Sequence, residues 1–453
     1  MQIRNHEIWN KDTGDFGPRF GFSWDVFGNQ KAVIRAGYGI DYDRMYNNLF
    51  EDIRFNPPYF CFCGFGFLIN GVPAGGNESP GIYTVPFVSQ GLFNSKTLFP
   101  SGLPLADPRA MSQNLVTAYY EQAFFGVQYQ LTKDMVLETN YAGTFGHRLI
   151  GILNYNTYPG RLACSAPPYA VGTACADAGY PVGFDAGRPN PTFSDFMLRT
   201  NCCDSNYNAL QITMRKRFTN GLQFNANYTY AKVLDELSDA FTPSQDVNGP
   251  YPEDSFNPHL DYGPADFDVK HRIVVSYNYQ LPFYNGHRWI GGWSTSSIIS
   301  LQTGPPFPLI DSGADTNQDG EFGDRLTYTG AGGVKKALTS GNPATTGFFN
   351  TSDFAPVTCP ANVNHGLWCE GNSVGQLNRN SLYGPKYFNW ELGVAKAFKI
   401  SEQAVIQLQA NFFNVFNHPN FMLPTGDTNN PDFGKSTAAF APRVGQLALR
   451  FDF

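Results

Sequence analysis

The segment from Gly313 to Asp324 has the residue types and spacing of a cation-binding loop. It contains the pattern D-x-N-x-D-G, which places oxygen ligands at alternate positions before a sharp glycine turn, as calcium loops do. An EF-hand is excluded, because its twelfth loop position needs an acid and this chain has Leu326 there. A calcium loop of another type and a solvated Asp/Asn/Gly turn both remain open. The candidate Ca²⁺ ligands are Asp315, Asn317, Asp319 and Asp324.

A second polar segment carries only negative charge. Between Asp235 and Asp268 there are nine acidic residues and neither Lys nor Arg. On an extracellular loop, such a run could gather divalent cations or bind a cationic ligand. The alternative is a solvated acidic face, which is the commoner role of a charge run.

The eight cysteines lie in Gly-, Pro- and Asn-rich stretches, and none has the C-x-x-C spacing of a zinc site. Cysteines that lie close together within one loop indicate local disulfides, which form in an oxidising compartment. Free loop thiols are the alternative. Adjacent Cys202 and Cys203 are not expected to pair with each other. The expected disulfides are Cys164–Cys175 and Cys359–Cys369.

Several classes of function are disfavoured. With 31 basic and 38 acidic residues, the formal net charge is −7, so the basic excess of a nucleic-acid-binding protein is missing and no nucleic-acid partner is predicted. Neither H-E-x-x-H nor G-x-S-x-G occurs, and no enzyme is predicted. No stretch approaches the roughly 18 continuous apolar residues of a membrane-spanning helix.

The elements that must carry these loops are β-strands. From Leu222 to Tyr230, apolar side chains alternate strictly with Gln, Asn and Thr, which predicts a strand with one apolar and one polar face. Eleven segments show this pattern, many of them ten or more residues long. They are residues 17–27, 31–42, 118–131, 134–147, 206–218, 222–235, 270–282, 290–302, 387–399, 404–417 and 442–453.

The connections between these strands alternate between tight turns and long irregular loops. This sorting predicts an all-β, antiparallel transmembrane β-barrel with short periplasmic turns and long extracellular loops. A soluble β-sandwich or propeller is the alternative, but it would have shorter strands and an apolar face packed against another sheet.

Six segments, in order, resemble the C-terminal barrel of TonB-dependent outer-membrane receptors, in particular the Oar-like branch. The resemblance covers nearly the whole chain. The segments are FGPRFGFSWDVFGNQKAVIRAGYGIDYDR (16–44), LETNYAGTFGHRL (137–149), SNYNALQITMRKRFTNGLQFNANYTYAK (205–232), DFDVKHRIVVSYNYQLPF (266–283), LQANFFNVFNHPNF (408–421) and LALRFDF (447–453).

The resemblance implies a 22-stranded barrel in the cell outer membrane, preceded by a signal peptide, a carboxypeptidase-regulatory-like domain, a TonB-contacting segment and a plug. This sequence shows none of those N-terminal parts, and about eleven strands are half of 22. The chain is therefore expected to be the C-terminal part of a longer receptor, with residues 1–15 as a lead-in loop and 16–453 as barrel.

The function implied is TonB-dependent uptake or surface binding of an unidentified ligand. A passive or structural barrel, porin-like or adhesin, is the alternative, and a soluble carbohydrate-active β protein is a third interpretation. Implied partners are outer-membrane lipid, the TonB complex through the missing N-terminal part, and the barrel-assembly machinery. The C-terminal end of the last predicted strand resembles the assembly signal that this machinery recognises. The residues of this signal are Leu449, Phe451 and Phe453.

Overall fold

The computed structural model describes residues 12–44, 109–156, 196–239, 252–283, 287, 290–313, 323–356, 377–401 and 404–453, and the backbone of four short strands within 60–82. Eleven long strands form one sheet. They are β1 (Arg19–Asp25), β2 (Ala32–Tyr42), β3 (Tyr119–Thr132), β4 (Met135–Asn154), β5 (Met197–Thr219), β6 (Leu222–Asp235), β7 (His271–Gln280), β8 (Trp293–Gln302), β9 (Tyr387–Lys399), β10 (Val405–Phe413) and β11 (Val444–Asp452).

Each of these strands pairs antiparallel with the next one in the chain, so the spatial order from β1 to β11 is the sequence order. Two short strands join the same sheet, Arg109–Met111 beside β5 and Gly263–Pro264 beside β6. Within the described residues, β1 pairs only with β2 and β11 only with β10. The sheet therefore has two open edges.

The remaining short elements lie between the long strands. Two-residue strands pair Pro306–Phe307 with Leu382–Tyr383, Ile310–Asp311 with Asp324–Arg325, and Thr327–Tyr328 with Phe354–Ala355. Between residues 60 and 82, Phe60–Cys61 pairs with Gly81–Ile82, and Phe67–Ile69 with Val72–Ala74. The helical elements of the described residues are the 3₁₀ turns Pro258–Asp261, Val334–Ala337 and Thr351–Asp353. None of the helices found there is long and apolar enough to cross a membrane.

The pairing register divides the sheet into an apolar face and a polar face, as the alternation predicted. Across β6, β7 and β8, Tyr228 is opposite Ile273, which is opposite Leu301, on the apolar face. One residue along, Asn227 is opposite Val274, and Gln223 is opposite Asn278. Because side chains alternate at period two, each strand contributes to both faces. Large apolar side chains stand exposed along the apolar face, among them Phe20, Phe22, Trp24, Ile273, Leu301, Leu408, Leu447 and Leu449.

Three short connections lie wholly within the described residues, β1–β2, β3–β4 and β5–β6, and they are tight turns, as the sequence predicted. Asn220 and Gly221 both have positive φ, 51° and 76°, between β5 and β6. This is the backbone requirement of a two-residue hairpin turn that matches the twist of the strands, and it explains the Asn-Gly pair. Between β1 and β2, a carboxylate oxygen of Asp25 accepts a 2.7 Å hydrogen bond from the backbone N–H of Gln30, which has a φ of 60°.

The eleven predicted strands are confirmed, but some of their ends differ from the prediction. β5 spans 23 residues and begins at Met197, nine residues before the predicted start. A strand of about 10 residues crosses a bilayer, so the extra length of β5 extends beyond the membrane. At the other extreme, β10 stops at Phe413 because Asn414 and Asn417 adopt positive φ and begin a turn. The Asn414 side chain closes this turn on His418.

Candidate functional site

Three of the long connections at one end of the sheet, β6–β7, β8–β9 and β10–β11, pack into a single folded unit, which we call the loop cap. It comprises residues 252–269, 303–313, 323–356, 377–386 and 418–441. Its apolar core is built around Phe349, whose ring lies 5.2 Å from that of Phe354 and 5.3 Å from that of Phe433. The buried members of this core are Phe307, Leu309, Leu326, Ala337, Phe349, Phe354, Leu377 and Leu382.

Arg325 joins two of the cap's loops through buried ion pairs. Its side chain is about 8% exposed, and its Nε lies 3.0 Å from a carboxylate oxygen of Glu253. A terminal guanidinium nitrogen lies 3.1 Å from Asp261 and also donates to the carbonyl of Leu260. The backbone N–H of Arg325 donates to Glu253 as well, at 3.2 Å. One arginine thus holds the acidic loop against the hairpin Ile310–Asp311/Asp324–Arg325.

Arg379 makes the corresponding connection to the top of the sheet. One guanidinium nitrogen lies 2.7 Å from Asp235, the last residue of β6, and the other donates a 2.6 Å hydrogen bond to Ser238 and lies 3.4 Å from Asp266. The next residue, Asn380, donates to Asp266 at 2.7 Å and has a positive φ of 56°. Charge-assisted bonds of this kind fix direction as well as distance, so the cap has one orientation on β6.

A third connection links the cap to the start of β7. The hydroxyl of Tyr383 donates a 2.6 Å hydrogen bond to the fully buried carboxylate of Asp268. The ammonium of Lys270 lies 3.9 Å from the centre of the Tyr383 ring, within the range of a cation–π contact. Burial and the Asp268 hydrogen bond raise the pKa of Tyr383 above its ordinary range, so its hydroxyl remains a donor.

Burial also alters the acids that face Arg325. It raises the pKa of Glu253 to about 8, because loss of water outweighs the attraction of Arg325 and because Asp261 and Asp324 add negative charge nearby. The pKa of Asp261 is likewise raised by burial, against the opposing effect of Arg325. These carboxyl groups therefore take up protons far more readily than exposed acids do.

The acidic run thus has a role that neither interpretation of its sequence included. Among its described members, the side chains of Asp235, Glu253, Asp261 and Asp268 are buried, so a solvated acidic face is wrong for these four. The cations that face them belong to the same chain, Arg325 and Arg379. The sequence contained a usable signal, since these are the only two arginines between residues 303 and 386 and the acidic run has no Lys or Arg of its own.

The calcium interpretation stays a prediction. Asp315, Asn317 and Asp319 lie outside the described residues, whereas Asp324 is buried and lies directly opposite Asp311 in the cap's hairpin. In the part of the chain that the structure describes, no group of three or more His, Cys, Asp or Glu side chains is placed to hold a metal ion.

The cysteines give one correction. Cys202 and Cys203 form a disulfide between adjacent residues of β5. From the sequence, these two cysteines were not expected to pair with each other. The ladder between β4 and β5 shifts register on both sides of Cys203, and this irregular backbone accommodates a bond that a regular strand would not. The four cysteines of the expected loop disulfides, Cys164, Cys175, Cys359 and Cys369, lie outside the described residues.

The proposed assembly-signal residues lie on the apolar face of β11. Leu449 is opposite Leu408, and Phe451 is opposite Ile406. Phe453 follows the strand, 95% exposed, and its ring stacks on that of Phe451. Their placement fits a lipid-facing strand end, and recognition by the assembly machinery stays a prediction.

Comparison with known proteins gives a family match over nearly the whole chain. The model of the outer membrane beta barrel domain matches residues 2–446. No curated protein matches the sequence.

Three solved structures are similar to this chain at low sequence identity. The outer membrane transporter YddB from Escherichia coli is 12% identical with a TM-score of 0.47, and the match covers 96% of this chain and 40% of that one. The ferripyoverdine receptor of Pseudomonas aeruginosa, bound to ferripyoverdine, is 10% identical with a TM-score of 0.43, covering 98% and 33%. A mutant of the ferric enterobactin receptor PfeA of P. aeruginosa is 11% identical with a TM-score of 0.45, covering 97% and 40%. The chain thus spans 33% to 40% of the length of these proteins.

Proposed function

Because the chain belongs to the outer membrane beta barrel domain family, we propose that it forms part of the barrel wall of a TonB-dependent receptor, which binds a ligand at the loop cap and admits it to the lumen. The family places the chain in the cell outer membrane, as the sequence predicted. The TonB-dependent mechanism is supported by the six ordered segments that resemble such receptors.

The two faces of the sheet support a barrel wall. Exposed Phe, Leu, Ile and Trp side chains on the apolar face suit hydrocarbon, whereas amide and hydroxyl side chains on the polar face suit a water-filled or plugged lumen. An unpaired backbone group costs several kcal/mol in hydrocarbon, so the open edges at β1 and β11 require further strands.

Strand direction limits how those edges can be closed. Eleven strands that alternate in direction leave β1 and β11 running the same way. Each edge then needs a neighbour of the opposite direction, so antiparallel closure takes an odd number of added strands. Eleven more would give the 22-stranded barrel of plugged outer-membrane transporters. We propose that these strands, the plug and the TonB-contacting segment belong to the same receptor.

The loop cap is the observation that carries the receptor proposal. A passive pore needs an open mouth, whereas here two buried arginines and an apolar core fix three long loops into one rigid unit. A preorganised surface loses less entropy on binding, which is the physical advantage of a folded cap for a receptor.

Growth of cells that express the complete receptor tests this proposal. The cells would be grown on panels of ferric siderophores, copper salts and saccharides, with and without a functional TonB complex. We expect growth on at least one source to require both the receptor and TonB, and to fall in Arg379→Ala but not in Arg450→Ala, whose arginine is exposed. Growth that is independent of TonB would instead indicate a passive pore, and adhesion without any growth effect would indicate a structural barrel.

A further inference from the structure

The polar face carries a depression of about 290 Å³ midway along β7, β8 and β9 and beside the C-terminal end of β10. Its floor is at Gly393, which lies between Ser296 of β8 and Asn411 of β10 in the pairing register. Asn278 is the next residue in the same row, opposite Ser296. The adjacent row contributes Ile298 and Glu391, which are opposite each other. All of these side chains point to the polar face, so the depression opens towards the lumen of the proposed barrel.

Gly393 is what keeps the depression open. A Cβ atom at this position would lie 2.5 Å from the Ser296 hydroxyl oxygen and 2.9 Å from the Asn411 side-chain oxygen. Both distances are below van der Waals contact, so any larger residue would push these two polar groups apart. Glycine thus lets a hydroxyl and a carboxamide converge on one point of the wall.

The polar groups around this point are held by their neighbours. Gln409 donates a 2.9 Å hydrogen bond to the side-chain oxygen of Asn411, which directs the amide nitrogen of Asn411 away from Gln409. Asn389 donates to one carboxylate oxygen of Glu391 at 3.2 Å. Fixed donors and acceptors of this kind are what a polar ligand needs for orientation.

The depression also contains apolar surface that is unusual for this face. Phe413 is 39% exposed and Ile298 is 45% exposed, and both line the depression beside the amide and hydroxyl groups. Glu391 is its single charged group. An aromatic ring beside convergent hydroxyl, amide and carboxylate groups matches a pyranose ring, which has an apolar C–H face and a rim of hydroxyls. The lone negative charge disfavours anionic ligands.

We propose that this depression is a binding subsite for neutral saccharides in the lumen wall. The sugar ring lies on Phe413, and its hydroxyls bond to Asn278, Ser296, Glu391 and Asn411. The subsite is separate from the loop cap. It depends on the proposed function in one respect, namely that the polar face lines the lumen of a transporter.

Binding of maltose and methyl α-glucoside to the purified complete receptor, followed by saturation-transfer NMR and calorimetry, tests the subsite. We expect saturable binding by the parent protein and at least about a tenfold loss of affinity in Gly393→Val, equivalent to about 1.4 kcal/mol. We expect glucose 6-phosphate to bind with lower affinity than glucose, because Glu391 repels its phosphate. Glu391→Gln should reduce this difference in affinity. Ala395→Val is the matched control, because Ala395 is the next residue of β9 on the polar face, opposite Ser294, and lies outside the depression.

The results also separate this inference from the proposed function. Lack of saturable sugar binding by folded, heat-modifiable receptor would overturn the subsite, as would equal binding by the parent and Gly393→Val. If TonB-dependent growth persisted in that case, only the subsite would be lost. Sugar binding by purified receptor without any TonB-dependent growth would leave the subsite standing and overturn the proposed mechanism.

Discussion

The barrel wall and the loop cap of this chain are stabilised in opposite ways. In the wall, large apolar side chains point outwards and stand exposed, and amides and hydroxyls line the other face. In the cap, phenylalanines and leucines form a closed core, and carboxylates are buried against arginines. The wall depends on lipid to cover its apolar side, whereas the cap covers its own. The two regions should therefore respond differently to the same kind of substitution.

The largest difference between the responses of the cap and the wall is expected for Arg325→Ala. It leaves Glu253 and Asp261 buried without their arginine, and breaking a buried pair costs about 3–5 kcal/mol. We expect the cap to become protease-sensitive while heat-modifiable electrophoresis of the barrel is unchanged. Arg450→Ala, which removes an exposed arginine from β11, is the control and should leave both readouts intact. Simultaneous loss of the barrel would show that cap and wall are not independent.

Lysine substitutions on the two faces of β7 compare the cost of a charge on the lipid-facing and the lumen-facing side of the wall. Val275→Lys places a charge on the apolar face at the middle of β7, opposite Ile299, where a lysine at the bilayer midplane costs roughly 2–4 kcal/mol. Ser276→Lys places it on the polar face of the same strand and should cost little. Urea titration of the receptor refolded into lipid vesicles would measure both. Equal costs for the two variants would contradict the assignment of the faces.

Calcium, if it binds at the predicted ligands, should stabilise the cap alone. A ligand present at about 100 times its dissociation constant adds roughly 2.7 kcal/mol to the state that binds it. We expect protection of residues 303–386 from protease to rise with calcium, and Asp315→Ala combined with Asp319→Ala to abolish this rise. Protection that is identical in calcium and in chelator would refute the calcium loop.

The adjacent disulfide is expected to contribute much less. Because Cys202 and Cys203 are neighbours, the bond closes a minimal loop, for which the chain-entropy estimate is about 1 kcal/mol. Replacing both residues by serine should lower the urea midpoint slightly and leave the wall assembled. Mass spectrometry that finds two free thiols in oxidised, exported protein would show that the bond does not form.

The smallest effect is the loss of cap stability over the single pH unit from about 7 to about 8. The folded pKa of Glu253 is raised to about 8 from an ordinary value near 4.5, so protonation favours the folded cap. The stabilisation is fully present below pH 4.5 and declines as the pH rises through 8, with roughly 1 kcal/mol lost between about pH 7 and pH 8. Glu253→Gln should flatten this profile, measured as the protease resistance of the cap. A cap that becomes more resistant at high pH would contradict the sign.

The sequence predicted the wall far better than the cap, for a physical reason. A strand with one face in lipid and one in the lumen must alternate, so Leu222 to Tyr230 already showed its two faces and its approximate ends. The cap has no such period, because Phe307, Phe349 and Leu382 are brought together only by the fold. The partners Asp235 and Arg379 lie 144 residues apart, and no local rule connects them. The disulfide of Cys202 and Cys203 was not expected between adjacent residues, and it depends on a local irregularity of the ladder that the sequence did not indicate.

The separation between Asp235 and Arg379 also has a consequence in time. Asp235 ends β6, and Arg379 precedes β9, so β7 and β8 lie between the two partners in the chain. Their ion pair forms more favourably once those intervening strands have paired, because closing so long a loop before other contacts exist is entropically costly. The cap is therefore a late product of assembly. A wall that lacked β7 or β8 would leave Arg379 without its place beside Asp235, so the cap would form only on a wall that is continuous from β6 to β9.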